Sequence, residues 1–364
     1  MQPMTAPSSA YRLHGLKLSY FTRKLEGYLR VKGVPYEFVE MDLADFRECA
    51  KATGIAQMPQ LQSPDGSWMT DTTEIISHFE SYWPKPRLRP GPPAVAFASQ
   101  FLEDFFDEWL WRPALYYRWA FDADSRLMSG QIADSLLRDQ PGPRLLRRLF
   151  IKQRQQRTFL KGDGVNRATA PAVEALFHNV FDILEPVFAE RDFLFGERPC
   201  EADFGLFGPV FAHFAYDPTA HAILRDEAPS VIAWSGRLWA SRPDSFTDTT
   251  PIQRIPADLG PLFRVAAVQY LPYLSANAAA FLAGKDRFSV VIEDTGWDLP
   301  VSPYRVRCLN RLRQGFQALA EPAQRVIGLL LGDALPVIAA EPGPDPRAPV
   351  LDSPKALDRQ WREV

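Results

Sequence analysis

Cysteine is scarce in this 364-residue chain: Cys49, Cys200 and Cys308 lie far apart, with no CxxC pair. That excludes a disulfide framework or a cysteine-built zinc site and suits a reducing compartment, so a cytoplasmic location is expected. Histidine is equally thin. His14, His78, His178, His213 and His221 show no metal-ligand spacing, so no metal is expected. Net charge is −3, with no basic run that could track a phosphate backbone, which argues against nucleic acid as a partner. No uncharged apolar run reaches the roughly 18 residues of a membrane span. The opening MQPMTAPSSA lacks the basic-then-apolar order of a signal peptide. Glycine-rich phosphate-binding motifs of the Rossmann or P-loop type are also missing.

What is present is a globular composition, 46% hydrophobic and 23% charged. The 25 Phe and 9 Trp point to large cores or an aromatic-lined pocket. The length suits two domains plus an extension.

Residues 11–15, YRLHG, read as a short strand. In LSYFTRKLEGYLRVKG the apolar residues Phe21, Leu25, Tyr28, Leu29 and Val31 mostly follow helical spacing, and Gly33 and Pro35 end the helix. YEFVEM alternates as a second strand, which completes a βαβ unit with parallel strands. A short polar helix over 43–52 follows. Next come PQLQS and SWMTD around an Asp65-Gly66 turn, then a helix over 72–82. The order βαβ, helix, ββα is a thioredoxin-like α/β pattern, assigned to residues 11–83. Residues 83–93, WPKPRLRPGPP, form a stiff linker. An all-helical domain is assigned to 94–256. Its first helix carries an aromatic stripe, Phe97, Phe101, Phe105 and Trp109, with Glu103, Asp104, Asp107 and Glu108 opposite. These carboxylates have no histidine partner and read as solvated or interfacial. Residues 257–364 form an extension: mostly helical, with breaks at Pro272, Pro322 and Pro336, one possible strand at RFSVVIED and an irregular proline-rich tail.

Four segments, in order and spacing, resemble the glutathione transferases. They are LSYFTRKLEGYLRVKGVPYEFVEMD (18–42), QMPQL (57–61), DTTEI (71–75) and GERPCEADFGLFGPV (196–210). The resemblance covers about residues 11–242 and leaves out the extension. It implies an α/β thioredoxin-like N-terminal domain followed by an all-α helical domain. It also implies glutathione as co-substrate, an apolar small molecule as second substrate, a role in detoxification and a homodimer.

Carried onto this sequence, the resemblance places Ser19 where serine-type members contact the sulfur, with Tyr20 and Thr22 as alternatives. A free thiol titrates near 8.5, and a hydroxyl donor at a helix N-terminus can hold it as thiolate. Either Ser19 or Thr22 could instead simply cap the helix. No cysteine stands in this loop, which speaks against thiol-disulfide exchange, and Cys49 reads as a partly buried bystander. Pro59 is expected to be cis, leaving the Met58 backbone free to pair with a peptide. Gln57 stands where many members place a lysine. Asp71 and Thr72 open a helix and are expected to take the γ-glutamyl end. Asp203 reads as structural, bonding back to a helix start at which Cys200 replaces the usual Ser or Thr. The aromatic stripe from Phe97 to Trp119 reads mostly as core, with some of Trp109, Trp111, Tyr116, Tyr117 and Trp119, Trp109 and Tyr116 first among them, proposed to wall the second-substrate pocket.

The leading function is therefore an enzyme that adds glutathione thiolate to an electrophile or peroxide. The rival is a non-catalytic binding or scaffold member. Gln57, Cys200 and the extension lean toward the rival, whereas Ser19, Pro59 and Asp71-Thr72 lean toward the enzyme.

Overall fold

The computed structural model describes residues 10–83 and 85–346. The linker's Pro84 and the tail from 347 onward lie outside them.

The front of the chain runs β1 (Tyr11–Gly15), α1 (Tyr20–Lys32), β2 (Tyr36–Glu40), α2 (Leu43–Thr53), β3 (Gln60–Gln62), β4 (Trp68–Met69), α3 (Thr72–Tyr82). The strand order is β2-β1-β3-β4, with β1 and β2 parallel and the other pairs antiparallel. Two of these helices stop at a glycine. Gly33 and Gly54 end α1 and α2 at φ 73° and 76°, a left-handed conformation that glycine adopts without penalty. Leu13, Leu61, Leu25, Leu29, Ile75 and Phe79 are buried together between β1, β3, α1 and α3. Leu43, Phe46 and Cys49 of α2 belong to a second, smaller cluster that continues into the helical region.

That region comprises α4 (Pro93–Trp109), α5 (Trp111–Ala120), α6 (Asp122–Leu136), α7 (Arg144–Arg154), α8 (Ala170–Glu190), α9 (Glu201–Pro209), α10 (Pro218–Glu227) and α11 (Pro229–Ala240). Every residue of α9 is buried, and α1 and α4 close on it. Two glycines permit the approach. A Cβ on Gly205 would stand 2.9 Å from the Glu103 backbone, and one on Gly208 would stand 2.9 Å from the Tyr20 carbonyl oxygen.

The extension adds α12 (Gly260–Val265), α13 (Leu271–Leu282), a hairpin of β5 (Arg287–Ile292) and β6 (Thr295–Pro300), then α14 (Pro303–Gln317), α15 (Glu321–Leu331) and α16 (Leu335–Ala339). The single strand expected at RFSVVIED is thus half of a hairpin. Glu293 and Asp294 turn it at φ 45° and 64°, and β6 pairs residue for residue with β5. TGWDLP carries a glycine and a proline that mask its alternation, although Trp297 and Leu299 do face inward. Pro322 and Pro336 sit in the first turns of α15 and α16, where a missing N–H costs nothing, whereas the break expected at Pro272 is absent: Pro272 follows a π-helical turn, Ala266–Tyr270, inside a helical run continuous from Gly260 to Leu282. Glu321–Ala339 is the one helical stretch among the described residues long and apolar enough to cross a membrane, and 17% of it is buried. It is divided at Gly332 and carries Glu321, Arg325 and Asp333.

The aromatic stripe of α4 finds its partners in the extension. Phe97 meets Phe316, Phe101 stacks on Phe263, Phe105 meets Tyr270, and Trp109 lies among Tyr270, Tyr273 and Trp297. Burial of so many rings ties the extension to the helical region as one core.

Candidate functional site

Two adjoining cavities lie between the front of the chain and the helices. A polar one of about 410 Å³ is lined by Met58, Pro59, Asp71, Thr72, Asp107 and Glu108 together with residues of α14. An apolar one of about 320 Å³ is lined by Ser19, Tyr20, Leu115, Trp119, Ile132 and His213 among others. Phe21, Gln57, Met58, Trp111 and Phe159 line both, so the two are halves of one cleft.

Ser19 is the N-cap of α1. Its backbone is extended and its Oγ accepts a long 3.4 Å bond from the Thr22 N–H. So weak a capping bond leaves lone-pair and donor capacity on a hydroxyl facing the apolar half. The two alternatives are placed differently. Thr22 is fully buried against Gly15 and lines neither half. Tyr20 lends its ring to the apolar wall, but its hydroxyl donates to the Phe106 carbonyl, and burial lifts its pKa well above the ordinary value.

The loop before β3 is held from beneath. Buried Gln60 donates its amide to the carbonyls of Ile55 at 2.8 Å and Gln57 at 3.1 Å, and the Met58–Pro59 bond is cis as expected. Asp71 caps α3 at φ 68°. One carboxylate oxygen accepts from the Thr73 N–H at 3.1 Å, and the other accepts from the Tyr304 hydroxyl at 3.1 Å.

Gln57, Met58, Pro59, Asp71 and Thr72 therefore share the polar half, and Ser19 stands in the apolar half that adjoins it. Trp109 and Tyr116 line neither half. Trp109 donates to Gln269 at 3.0 Å beneath the extension, and Tyr116 bonds Glu174 at the edge of a separate groove. The apolar wall is made by Trp111, Leu115, Trp119 and Phe159 instead. The aromatic run from 109 to 119 could not show this, because α4 ends at Trp109 and α5 starts afresh at Trp111, which resets the helical phase.

The acidic row of α4 is neither solvated nor facing a partner: Glu103, Asp104, Asp107 and Glu108 are 3%, 2%, 4% and 7% exposed. Lys24 of α1 reaches both Glu103 and Asp107, while α14 sends Arg311 to Asp104 at 2.9 Å and Arg305 to Glu108 at 2.9 Å. One oxygen of Asp107 remains buried without a partner, and Asp107 lines the polar half. Burial pushes the Asp107 carboxyl well above its ordinary pKa despite Lys24, and raises Glu108 as well.

Arg118 passed unnoticed in the sequence, hidden in the aromatic run YYRWA. It lines the apolar half, bonds Asp217 at 2.8 Å and donates to the Leu18 carbonyl at 2.7 Å, one residue before Ser19. His213 stands nearby, its pKa driven well below the usual value by burial and by Arg118, so it is neutral there.

The fold also gathers His14, Asp45 and Cys49, whose potential ligand atoms lie within 4.8 Å of one another. Sequence spacing could not show this grouping, because His14 is on β1 and the other two are on α2. Asp45 already binds His14 at 2.9 Å, and burial first, then Asp45 and Glu48, push the Cys49 thiol up to about 12. A protonated thiol is a poor metal ligand.

Asp203 bonds the backbone N–H groups of Leu194 and Cys200, both at 2.9 Å, and the Trp234 indole at 3.2 Å, and it lines neither half of the cleft.

The family model for the glutathione S-transferase N-terminal domain matches residues 13–87, and that for the C-terminal domain matches 177–242. No curated protein matches the chain. Among solved structures, a glutathione S-transferase from Rhodospirillum rubrum F11 is similar at 21% identity and TM-score 0.43, covering 68% of this chain and 96% of that one. A beta-etherase from Sphingobium sp. strain SYK-6 is similar at 18% identity and TM-score 0.47, covering 66% and 100%. A glutathione S-transferase from Methylobacterium radiotolerans JCM 2831, in complex with glutathione sulfonate, is similar at 21% identity and TM-score 0.40, covering 68% and 98%. With both domain models matched in order, one on the thioredoxin-like front and one on the helical region, the chain carries the N-terminal and C-terminal domains of the glutathione S-transferases.

Proposed function

We propose that this protein binds glutathione in the polar half of the cleft as a thiolate and adds it to an electrophilic or peroxide small molecule held in the apolar half. The observation that carries the reading is the continuity of the two halves. Backbone and carboxylate groups suited to a peptide stand on one side, an aromatic box on the other, and Ser19 faces the apolar box beside the residues that both halves share. The Asp71 carboxylate suits a cationic group such as the γ-glutamyl ammonium, and the N-terminus of α3 at Thr72 favours the neighbouring carboxylate.

Within this reading Ser19 donates to the sulfur, Arg118 adds a fixed positive charge behind the Ser19 loop, and Trp111, Leu115 and Trp119 receive the second substrate. Rate acceleration then comes from holding an activated nucleophile beside its target. A homodimer, a cytoplasmic location and a role in detoxification go with the same reading.

The test is a titration of bound glutathione by its ultraviolet thiolate absorbance, with turnover of 1-chloro-2,4-dinitrobenzene, in wild type and Ser19→Ala. A lost hydrogen bond to an anion is worth roughly 1.5–3 kcal/mol, which is about one to two units in the thiol pKa. The variant should still bind glutathione but titrate higher and turn over at least tenfold more slowly at neutral pH. An unchanged titration would reduce Ser19 to a helix cap. Binding without any turnover in wild type would place the chain among non-catalytic members.

A further inference from the structure

One wall of the cleft's polar half comes from a segment that neither family model reaches. α14 starts beside the cavity, with its first turn anchored by the Ser302 side chain, and Ser302, Tyr304 and Arg305 line the polar half. Tyr304 donates to the outer oxygen of Asp71 while the Thr73 N–H holds the inner one, so that carboxylate is fixed from two parts of the chain more than 200 residues apart. Each oxygen retains a second lone pair for a ligand.

Arg305 is held by two protein carboxylates through three of its five N–H donors. Its Nε donates to Glu108 at 2.9 Å, and both terminal nitrogens donate to one oxygen of Asp163 at 3.2 Å. The other Asp163 oxygen accepts the Trp111 indole N–H at 2.8 Å, and Trp111 stands in the wall common to both halves. Arg305 is thus well placed to lock an indole through Asp163.

We propose that α14 is a working wall of the ligand site. Tyr304 is a positioning residue that sets the Asp71 carboxylate for the ligand's ammonium group. Arg305 is a positioning residue that, through Asp163, sets the Trp111 indole between the peptide end and the apolar end of the ligand. The proposal rests on the reading that the cleft takes glutathione.

The experiment compares full-length wild type, Tyr304→Phe and Arg305→Lys by calorimetry, with glutathione and S-hexylglutathione as probes. The hexyl chain reports on the apolar half without requiring turnover. Tyr304→Phe should weaken both probes equally, by three- to tenfold. Arg305→Lys should leave glutathione within twofold but cut the extra affinity conferred by the hexyl chain at least threefold. In a Trp111→Phe background the Arg305→Lys effect should vanish. A purely structural role would lower the melting temperature without dividing the two probes in this way. If wild type binds glutathione and neither variant alters either probe, the proposal is overturned while the glutathione reading stands. If a variant binds glutathione more tightly than wild type, α14 is a block and not a wall, which also overturns it. If neither wild type nor variants bind either probe, the glutathione reading falls and takes this proposal with it.

Discussion

Lys24 offers the most demanding test of the structure's energetics. Its side chain is fully buried and its ammonium touches Glu103 and Asp107, with Thr73 Oγ1 at 3.1 Å. It therefore ties α1 of the front to α4 of the helical region and to α3. Lys24→Met keeps the length and apolar stem of the side chain and removes only the charge and donors. Glu103 would retain the Thr73 hydroxyl at 2.6 Å, but Asp107, which already has one orphaned oxygen, would lose its cation. Removing one partner of a buried ion pair costs about 3–5 kcal/mol, and the retained Thr73 bond puts the expectation near 4.

The sign of the pH dependence follows from Asp107. Its pKa is already raised by burial, and without Lys24 it rises further. A carboxyl with a raised native pKa contributes stability that is complete below its unfolded value and is lost as pH rises through the native one. The deficit of Lys24→Met should accordingly be larger at pH 8 than at pH 5.5, and adding Asp107→Asn should recover part of it at pH 8. Urea denaturation followed by circular dichroism at both pH values measures this. A deficit under about 1 kcal/mol at pH 8, or equal deficits at the two pH values, would refute the argument that these three groups form a closed buried cluster.

Two further perturbations probe other parts of the fold. Burial raises Glu201 to about 7 even with Arg89 at 2.6 Å, so its contribution is complete below the usual carboxyl range and is lost as pH rises through 7. Glu201→Gln should flatten the fall in melting temperature between pH 5 and pH 8, by on the order of 2–3 kcal/mol in stability at 1.4 kcal/mol per unit; parallel profiles would contradict it. Gly205→Ala drives a methyl to within 2.9 Å of the Glu103 backbone and should cost about 1–3 kcal/mol as α4 is forced off α9; an unchanged urea midpoint would show that the helices can shift freely.

Much of the front was legible because its signals are local. The βαβ unit, the Gly33 stop and the hairpin turn depend on residues within a few positions of one another, and the elements stand where those signals put them. Ser19 and Asp71 could be picked out because the resemblance rests on the segments that hold them, and both do cap their helices. The apolar half of the cleft was misjudged because it depends on phase across a helix break: a run of five aromatic candidates says nothing of the turn between Trp109 and Trp111. The α4 carboxylates were misread because their countercharges, Lys24, Arg305 and Arg311, arrive from distant elements. A buried acidic row and a solvated one look alike until the partner helix is in place. The hairpin at 287–300 was half seen because β6 breaks its alternation with Gly296 and Pro300.

The covering of α4 by the extension has a consequence for synthesis. The ribosome completes α4 by residue 109, whereas Phe263, Tyr270, Arg305, Arg311 and Phe316 emerge more than 150 residues later. Chain growth at about 5–20 residues per second leaves the Phe97–Trp109 stripe bare and Asp104 and Glu108 without their arginines for many seconds. During that interval the nascent chain presents a sticky, acid-lined helix to its surroundings. A release-factor error or a premature stop between 243 and 262 would leave that helix uncovered for good, so such truncated products should be captured by chaperones or aggregate, even though both family-matched segments have been made in full.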